Sequence, residues 1–227
     1  MTPLRGGVLA LVLAVLIGGA YAGFSWQRAR TPEAALLQAA RAVQEQDRTL
    51  FEEYVDTDAV LAGMHEDASA LLADNIDALH ARHPADWFFR HDAAFMRSYM
   101  AERRAADIAF ARAALDYYFD DARVPVTKED GNARWASDEM RAFAAGYTCT
   151  LGAVHAEGNR AEAEVLVHGG ASDYGRLMPE ASVTMEMIRR DDGRWKLVCI
   201  RTDAERPNGF FALIDAAERY WALQGWD

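Results

Sequence analysis

The feature that most constrains the fold is a change of hydrophobic period near residue 147. Before this point apolar residues recur every three or four positions, and after it they alternate. Amphipathic helices are therefore expected at about 32–46, 47–54, 58–81, 93–119 and 137–145. Strands are expected at 147–156, 160–168, 181–190 and 194–202, followed by a last helix at 210–223. The pattern predicts an α+β fold, in which a helical N-terminal half packs on an antiparallel sheet of about four strands.

Turn signals divide the predicted strands. The stretch Asp191-Asp192-Gly193 is typical of a hairpin, and Glu157-Gly158-Asn159 separates the first two strands. Thr31-Pro32-Glu33 is typical of a helix start, because Thr can cap the first turn and Pro is tolerated at its first position. Residues 31–227 are accordingly expected to form one domain, large enough to bury a hydrophobic core.

The N-terminal segment 1–30 contains an uncharged run from Gly6 to Trp26. Its 21 residues are enough to cross a bilayer, which takes about 20. A second interpretation is a signal sequence that is cleaved after Ala20-Tyr21-Ala22. We favour the uncleaved anchor, because apolar and aromatic character continues to Trp26. The expected location is the inner membrane, single-pass with the domain on the periplasmic side; the alternative is a periplasmic or secreted form released by cleavage.

The charge of the chain excludes one large class of partner. Its formal net charge is −11, and the basic residues are scattered singly or in pairs such as Arg103-Arg104. Surfaces that bind nucleic acid need clustered Lys and Arg, so no nucleic-acid partner is expected. Anionic head groups would repel the acidic surface, and attachment to a membrane should therefore come from the N-terminal segment alone.

Two stretches carry a resemblance to a known superfamily. PEAALLQAARAVQEQDRTLFEEYVDTDAVL resembles the opening helices, and VTMEMIRRDDGRWKLVCI the closing hairpin, of nuclear-transport-factor-2-like proteins. The nearest resemblance is to bacterial envelope proteins with an apolar anchor and a similar opening. It implies that the antiparallel sheet is curved and wraps helices into a cone. The superfamily includes cyclases, isomerases, transport factors and secretion-machine components, so the resemblance does not select a function.

Candidate metal ligands are few. His80 and His83 lie near His91, but Pro84 ends the helix at His83, and the His-Glu-x-x-His signature is absent from the sequence. These residues are expected to be surface histidines at a helix end. We predict neither a metal site nor a cofactor.

Candidate ligand-binding residues lie on the predicted sheet. His155 shares strand parity with Tyr147 and is expected to point toward the core side, where it could act as a base, and Asp173 lies in a Gly-rich loop that could line an opening. Apolar and aromatic side chains at alternating positions could line a pocket, although the same pattern is typical of a packed core. The candidate set is Tyr147, Leu151, His155, Met185, Met187 and Trp195.

The two cysteines, Cys149 and Cys199, fall on the first and fourth predicted strands. In a meander, three steps between strands of about 4.8 Å separate them by roughly 14 Å. A disulfide tolerates about 7 Å between α-carbons. Two free buried thiols are expected.

The sequence leaves three functions open. The first is a non-enzymatic, membrane-anchored envelope protein that binds a protein partner or an apolar small ligand. The second is a cone-type enzyme that performs acid/base chemistry on an apolar substrate, with His155 or Asp173 as the reacting group. The third is an assembly component similar to those of secretion machines. No converging set of catalytic residue types is visible, which favours the first.

Overall fold

The computed structural model describes residues 30–119, 131–202 and 209–223. The expected anchor or signal segment from Gly6 to Trp26 lies outside these ranges. Among the residues within them, no helix combines the length and the hydropathy that crossing a membrane requires.

The described part of the chain contains eight α-helices and one four-stranded sheet, which confirms the α+β class. The helices are α1 (Pro32–Gln44), α2 (Arg48–Tyr54), α3 (Thr57–Asp74), α4 (Ile76–Arg82), α5 (Ala93–Phe119), α6 (Gly131–Gly146), α7 (Asp173–Leu177) and α8 (Phe210–Leu223). The strands are β1 (Tyr147–Glu157), β2 (Arg160–Gly169), β3 (Glu180–Arg189) and β4 (Trp195–Arg201). A 3-10 turn, Phe88–Arg90, lies between α4 and α5.

Side-chain caps explain where the first three helices begin. The side-chain oxygens of Thr31, Asp47 and Asp56 each accept a hydrogen bond from the backbone N–H three residues later, at 3.3, 3.0 and 3.1 Å. Each cap satisfies one of the N–H groups that a helix start leaves without a partner. The predicted helix start at Thr31-Pro32-Glu33 is confirmed.

Three helical predictions need correction. The single helix expected at 58–81 is two helices, α3 and α4, which are separated at Asn75. There the Asn75 side chain donates a hydrogen bond to the Leu71 carbonyl at 2.9 Å, and such local bonding by Asn competes with a continuous helix. In addition, α6 begins at Gly131 rather than near Ser137, and the Gly-rich loop contains the short helix α7, capped by Ser172.

The sheet is an antiparallel meander in the order β1-β2-β3-β4, as the turn signals indicated. Alternate side chains of β2 and β3 are buried against the helices, including Ala163, Val165, Val183 and Met185. In β1 the register shifts between Leu151 and Val154, where the strand carries one residue more than its partner. A bulge of this kind reverses the side-chain parity of the residues that follow it.

The core is divided into two clusters. The larger cluster joins the buried face of the sheet to α1, α2, α6, the start of α3 and the end of α5. The smaller cluster lies at the opposite end of α3 and comprises Ala73, Ile76, Leu79, Phe88, Phe89, Met96 and Phe210. Helices α3, α5 and α8 supply side chains to both clusters, so the seam between the clusters runs among these three helices.

Candidate ligand-binding cavity

A cavity of about 130 Å³ lies at the seam between the two core clusters. Its walls come from α3, α5 and α8, together with the end of β4 and the 3-10 turn, and it is partly open to solvent. The apolar lining consists of Met64, Ala68, Leu72, Phe88, Phe89, Tyr99, Met100, Ile200, Phe210, Leu213, Ile214, Ala217 and Trp221. Each helix has an apolar face here, and the three faces do not close on one another.

Few polar side chains among the residues that the structure describes line this cavity. They are Asp67, Arg103, Asp107, Thr202 and Glu218. A mostly apolar concave site with a small number of polar groups is the usual form of a small-molecule site.

Three polar residues stand together beside the cavity: His65 and Asp107, which are buried, and Arg103, which is half-buried. Arg103 donates from Nη2 to Asp107 Oδ1 at 2.7 Å, one helical turn away on α5. His65 of α3 places Nε2 3.6 Å from Asp107 Oδ2, which is an ionic approach but too long for a hydrogen bond. His65 is only 2% exposed and Asp107 6%. Burial raises the pKa of the Asp107 carboxyl, but the partners Arg103 and His65 outweigh burial and bring that pKa below its ordinary value.

Asp67 lines the cavity near the end of β4. Its Oδ2 accepts hydrogen bonds from the backbone N–H of Thr202 at 3.0 Å and from the Thr202 hydroxyl at 3.2 Å. These bonds tie the chain after β4 to α3 and fix one rim of the cavity.

Helix α8 covers the cavity and is held at two points. Near its start, Asp215 accepts hydrogen bonds from the Arg82 guanidinium and lies 2.9 Å from His83 Nε2. Near its end, the Tyr220 hydroxyl donates to Glu139 Oε2 at 2.9 Å, and the Tyr174 hydroxyl donates to the same oxygen at 2.9 Å. The covering helix is therefore anchored to α4, α6 and α7.

None of the six ligand-binding residues predicted from the sequence lines this cavity. Tyr147, Met185, Met187 and Trp195 are buried in the larger core cluster, and Leu151 packs against it. The Tyr147 hydroxyl donates to the Tyr174 carbonyl at 2.5 Å, and Trp195 Nε1 donates to the Arg30 carbonyl at 3.2 Å. These side chains form a packed sheet face, the alternative that the sequence pattern left open.

The expectation that His155 points toward the core is wrong. The bulge between Leu151 and Val154 reverses strand parity, so Val154 packs against the core and His155 is exposed. Asp173 is also exposed; it begins α7 and lies 3.8 Å from the Arg176 guanidinium. Neither residue lies at the cavity.

The three clustered histidines go to separate places. His83 contacts Asp215, His91 stacks on the Phe95 ring at 3.8 Å, and His80 is exposed at the end of α4. Within 30–119, 131–202 and 209–223, no group of His, Cys, Asp and Glu is arranged to hold a metal ion.

The sequence indicated the apolar helix faces that line the cavity, but not the cavity itself. Met64, Ala68 and Leu72 recur at helical spacing within the amphipathic helix expected at 58–81, and Tyr99 lies in the one expected at 93–119. Arg103 and Asp107 are four residues apart on α5, and periodicity does not show which polar pair a neighbouring helix covers. Periodicity gives the direction of a face but not the distance to the next one.

Comparison with known proteins gave no match to a family model, to a curated protein or to a solved structure.

Proposed function

We propose that this protein is a non-enzymatic binding module for a small apolar molecule, held at the envelope membrane by its N-terminal segment. The observation that carries the proposal is the cavity at the seam between the two core clusters, with the mostly apolar lining of its described residues. A concave, mostly apolar site of this size is the usual form of a small-molecule site, and an apolar ligand that contacts its lining removes apolar surface from water.

The size of the cavity limits the occupant. An engineered apolar cavity of ~150 Å³ stays dry and binds benzene, so about 130 Å³ suits a molecule of about one ring. Aromatic side chains supply several of the walls, including Phe88, Phe89, Tyr99 and Trp221. They favour a flat apolar ligand, which they can contact edge-on or by stacking.

Binding fits the cavity better than catalysis does. Asp107 is the most buried carboxylate among the described residues of the cavity, and although burial raises its pKa, His65 and Arg103 outweigh burial and hold that pKa below the ordinary value. A carboxylate with a lowered pKa is a weak base, since effective acid/base groups have pKa values near the working pH. The two residues that an enzyme of the cone type was expected to use, His155 and Asp173, lie elsewhere on the surface.

The membrane attachment is a separate part of the proposal and rests on the uncharged run from Gly6 to Trp26. Fractionation of cells that express the full chain tests it. Full-length protein in the membrane pellet is the expected result. A released form that begins near Gly23 would show that the segment is cleaved instead.

Binding is tested with toluene, by saturation-transfer NMR on the full chain in lipid nanodiscs. In Ala68→Phe a ring is placed into the cavity, whereas in Ala70→Phe the same ring is placed on the exposed face of the same helix. We expect transfer to toluene in the wild type and in Ala70→Phe, and its loss in Ala68→Phe. Because toluene also enters lipid, the difference between the two variants is the measurement. Equal transfer in both variants would overturn the proposal.

A further inference from the structure

We propose that one end of the sheet rests on the membrane that holds the N-terminal segment, and that Arg189 and Arg190 there contact anionic phospholipid head groups. The inference rests on the membrane attachment in the proposed function, because it names the surface with which the attached domain meets the bilayer. Two observations carry it: the place where the N-terminal segment joins the domain, and the arginines that the fold brings to that place.

The N-terminal segment joins the domain beside the turn between β3 and β4. The Arg30 carbonyl, at the first described residue, accepts a hydrogen bond from Nε1 of Trp195, the first residue of β4. Residues 27–30 separate that carbonyl from the uncharged run that ends at Trp26. Four residues span at most about 14 Å when fully extended, so an anchor that ends at Trp26 keeps this turn close to the head groups.

The fold brings arginines from three parts of the chain to this end of the sheet. Arg160 begins β2, and the Arg189 N–H donates to the carbonyl of the preceding residue, Asn159, at 2.8 Å. Arg190 follows in the β3–β4 turn, where its N–H donates to the Arg194 carbonyl at 2.8 Å. The exposed arginines at this end are Arg30, Arg160, Arg189, Arg190 and Arg194. They are scattered in the sequence, and strand pairing collects them.

Arg189 and Arg190 are available to a lipid, because neither forms an ion pair with a carboxylate among the residues that the structure describes. Arg194, in contrast, is held by Asp192 and Glu53. The other described carboxylates near this end are Glu33, Glu157 and Asp191. Residues 1–29 contain no Asp or Glu, so the segment that joins the domain here brings no carboxylate side chain.

The net charge of −11 does not oppose this contact. Charges more than about 10 Å away are largely screened at physiological ionic strength, so the acidic remainder of the domain contributes little at this end. A guanidinium matches the geometry of a phosphate group, and each Arg near an anionic membrane surface contributes to binding. Because the anchor already holds the domain at the bilayer, the effective concentration of head groups is high and a weak contact is sufficient.

Paramagnetic relaxation enhancement tests the contact, with the full chain in nanodiscs that contain phosphatidylglycerol and a lipid with a spin-labelled head group. The amide signal of Gly193 reports on the β3–β4 turn, and that of Gly170 on the opposite end of the sheet, about 30 Å away. We expect strong broadening at Gly193 and little at Gly170. Discs of phosphatidylcholine, which has no net charge, should broaden Gly193 less.

Two double variants assign the contact to the arginines. Arg189→Gln with Arg190→Gln removes two charges from this end of the sheet. Arg104→Gln with Arg219→Gln removes two from exposed positions on α5 and α8, so both variants have the same net charge. The first should lower the ratio of docked to undocked domains about 30-fold in phosphatidylglycerol discs, and the broadening at Gly193 should fall with it. The second should leave the broadening at the wild-type level.

The outcomes separate this inference from the proposed function. A chain that does not enter the discs contradicts the membrane attachment, and the inference falls with it. A chain that enters the discs but shows equal broadening at Gly193 and Gly170 overturns the inference alone. Equal broadening of Gly193 in the two double variants, or in the two kinds of disc, also overturns it. The wild-type comparisons decide the inference even if the arginine variants lose their fold.

Discussion

Arg82 of α4 and Asp215 of α8 form a bidentate ion pair, with Nε–Oδ1 at 2.7 Å and Nη2–Oδ2 at 2.5 Å. His83 approaches the same carboxylate at 2.9 Å. Burial raises the pKa of Asp215, but the pairing with Arg82 and His83 outweighs it and lowers that pKa. The pair joins residues 133 positions apart and fixes the start of the helix that covers the cavity.

Asp215→Asn should destabilise the chain by about 1 kcal/mol, because a bidentate pair with good geometry lies at the upper end of the range for partly exposed ion pairs. The free energy of unfolding in urea measures the change. Glu66→Gln, which removes one negative charge from the exposed face of α3, is the control and should change stability little. Equal effects of the two substitutions would show that the pair does not hold α8.

Acid stability should depend on Asp107. Its folded-state pKa is lowered, so its contribution is complete above the unfolded pKa of about 3.9 and is lost as pH falls through the folded value. Asp107→Asn should cost about 1–3 kcal/mol at pH 7, since Arg103 and His65 lose a charged partner. The free energy of unfolding between pH 5 and pH 2 should then fall less steeply in the variant than in the wild type. Parallel pH profiles would contradict this assignment.

Gly63 and Cys199 are predicted to be coupled, because α3 packs on β4 at this point. A Cβ atom at Gly63 would lie 2.9 Å from Cys199 Sγ, closer than real Cβ contacts. Gly63→Ala increases helix propensity but crowds Cys199, and these two effects on the free energy of unfolding oppose each other. The stability of the single variant is therefore not the test. Gly63→Ala should change the free energy of unfolding about 1 kcal/mol more favourably in a Cys199→Ala background than in the wild type. A double-mutant cycle without coupling would contradict the packing.

The two cysteines should titrate as free thiols. Cys149 lies on β1 and Cys199 on β4, at opposite edges of the meander, and neither forms a disulfide; Cys149 is buried as expected, whereas Cys199 is only half-buried. Denatured, unreduced protein should therefore give two thiols per chain with a thiol reagent. A count of zero with an unchanged monomer mass would require β1 and β4 to be neighbours, against the observed strand order.

Much of the architecture could be predicted from the sequence, because each part of it has a local cause. Thr31 caps a helix, Asp191-Asp192-Gly193 connects β3 and β4, and alternation such as that of Val183 and Met185 identifies the buried sheet face. The bulge in β1 was missed, since one extra residue leaves no periodic trace, and the orientation of His155 was wrong as a result.

The cavity could not be predicted, because it depends on distances between helices that are remote in sequence. The apolar faces of α3, α5 and α8 were recognised, yet an apolar face has the same pattern whether or not its neighbour touches it. His65 and Asp107 are 42 positions apart, and only the packing of α3 on α5 brings them together. The sheet residues proposed as a pocket were the most regular apolar pattern in the chain, and regular alternation indicates a filled core.

The central claim, that the cavity binds a small apolar ring compound, is tested most directly by the effect of toluene on stability. A ligand that binds only the folded state raises the free energy of unfolding by about 2.7 kcal/mol at one hundred times its dissociation constant. We predict that the free energy of unfolding rises with toluene concentration in the wild type and in Ala70→Phe, as expected for a ligand that binds only the folded state. In Ala68→Phe it should not rise. A free energy of unfolding that toluene leaves unchanged in the wild type, or raises equally in Ala68→Phe, would contradict the account.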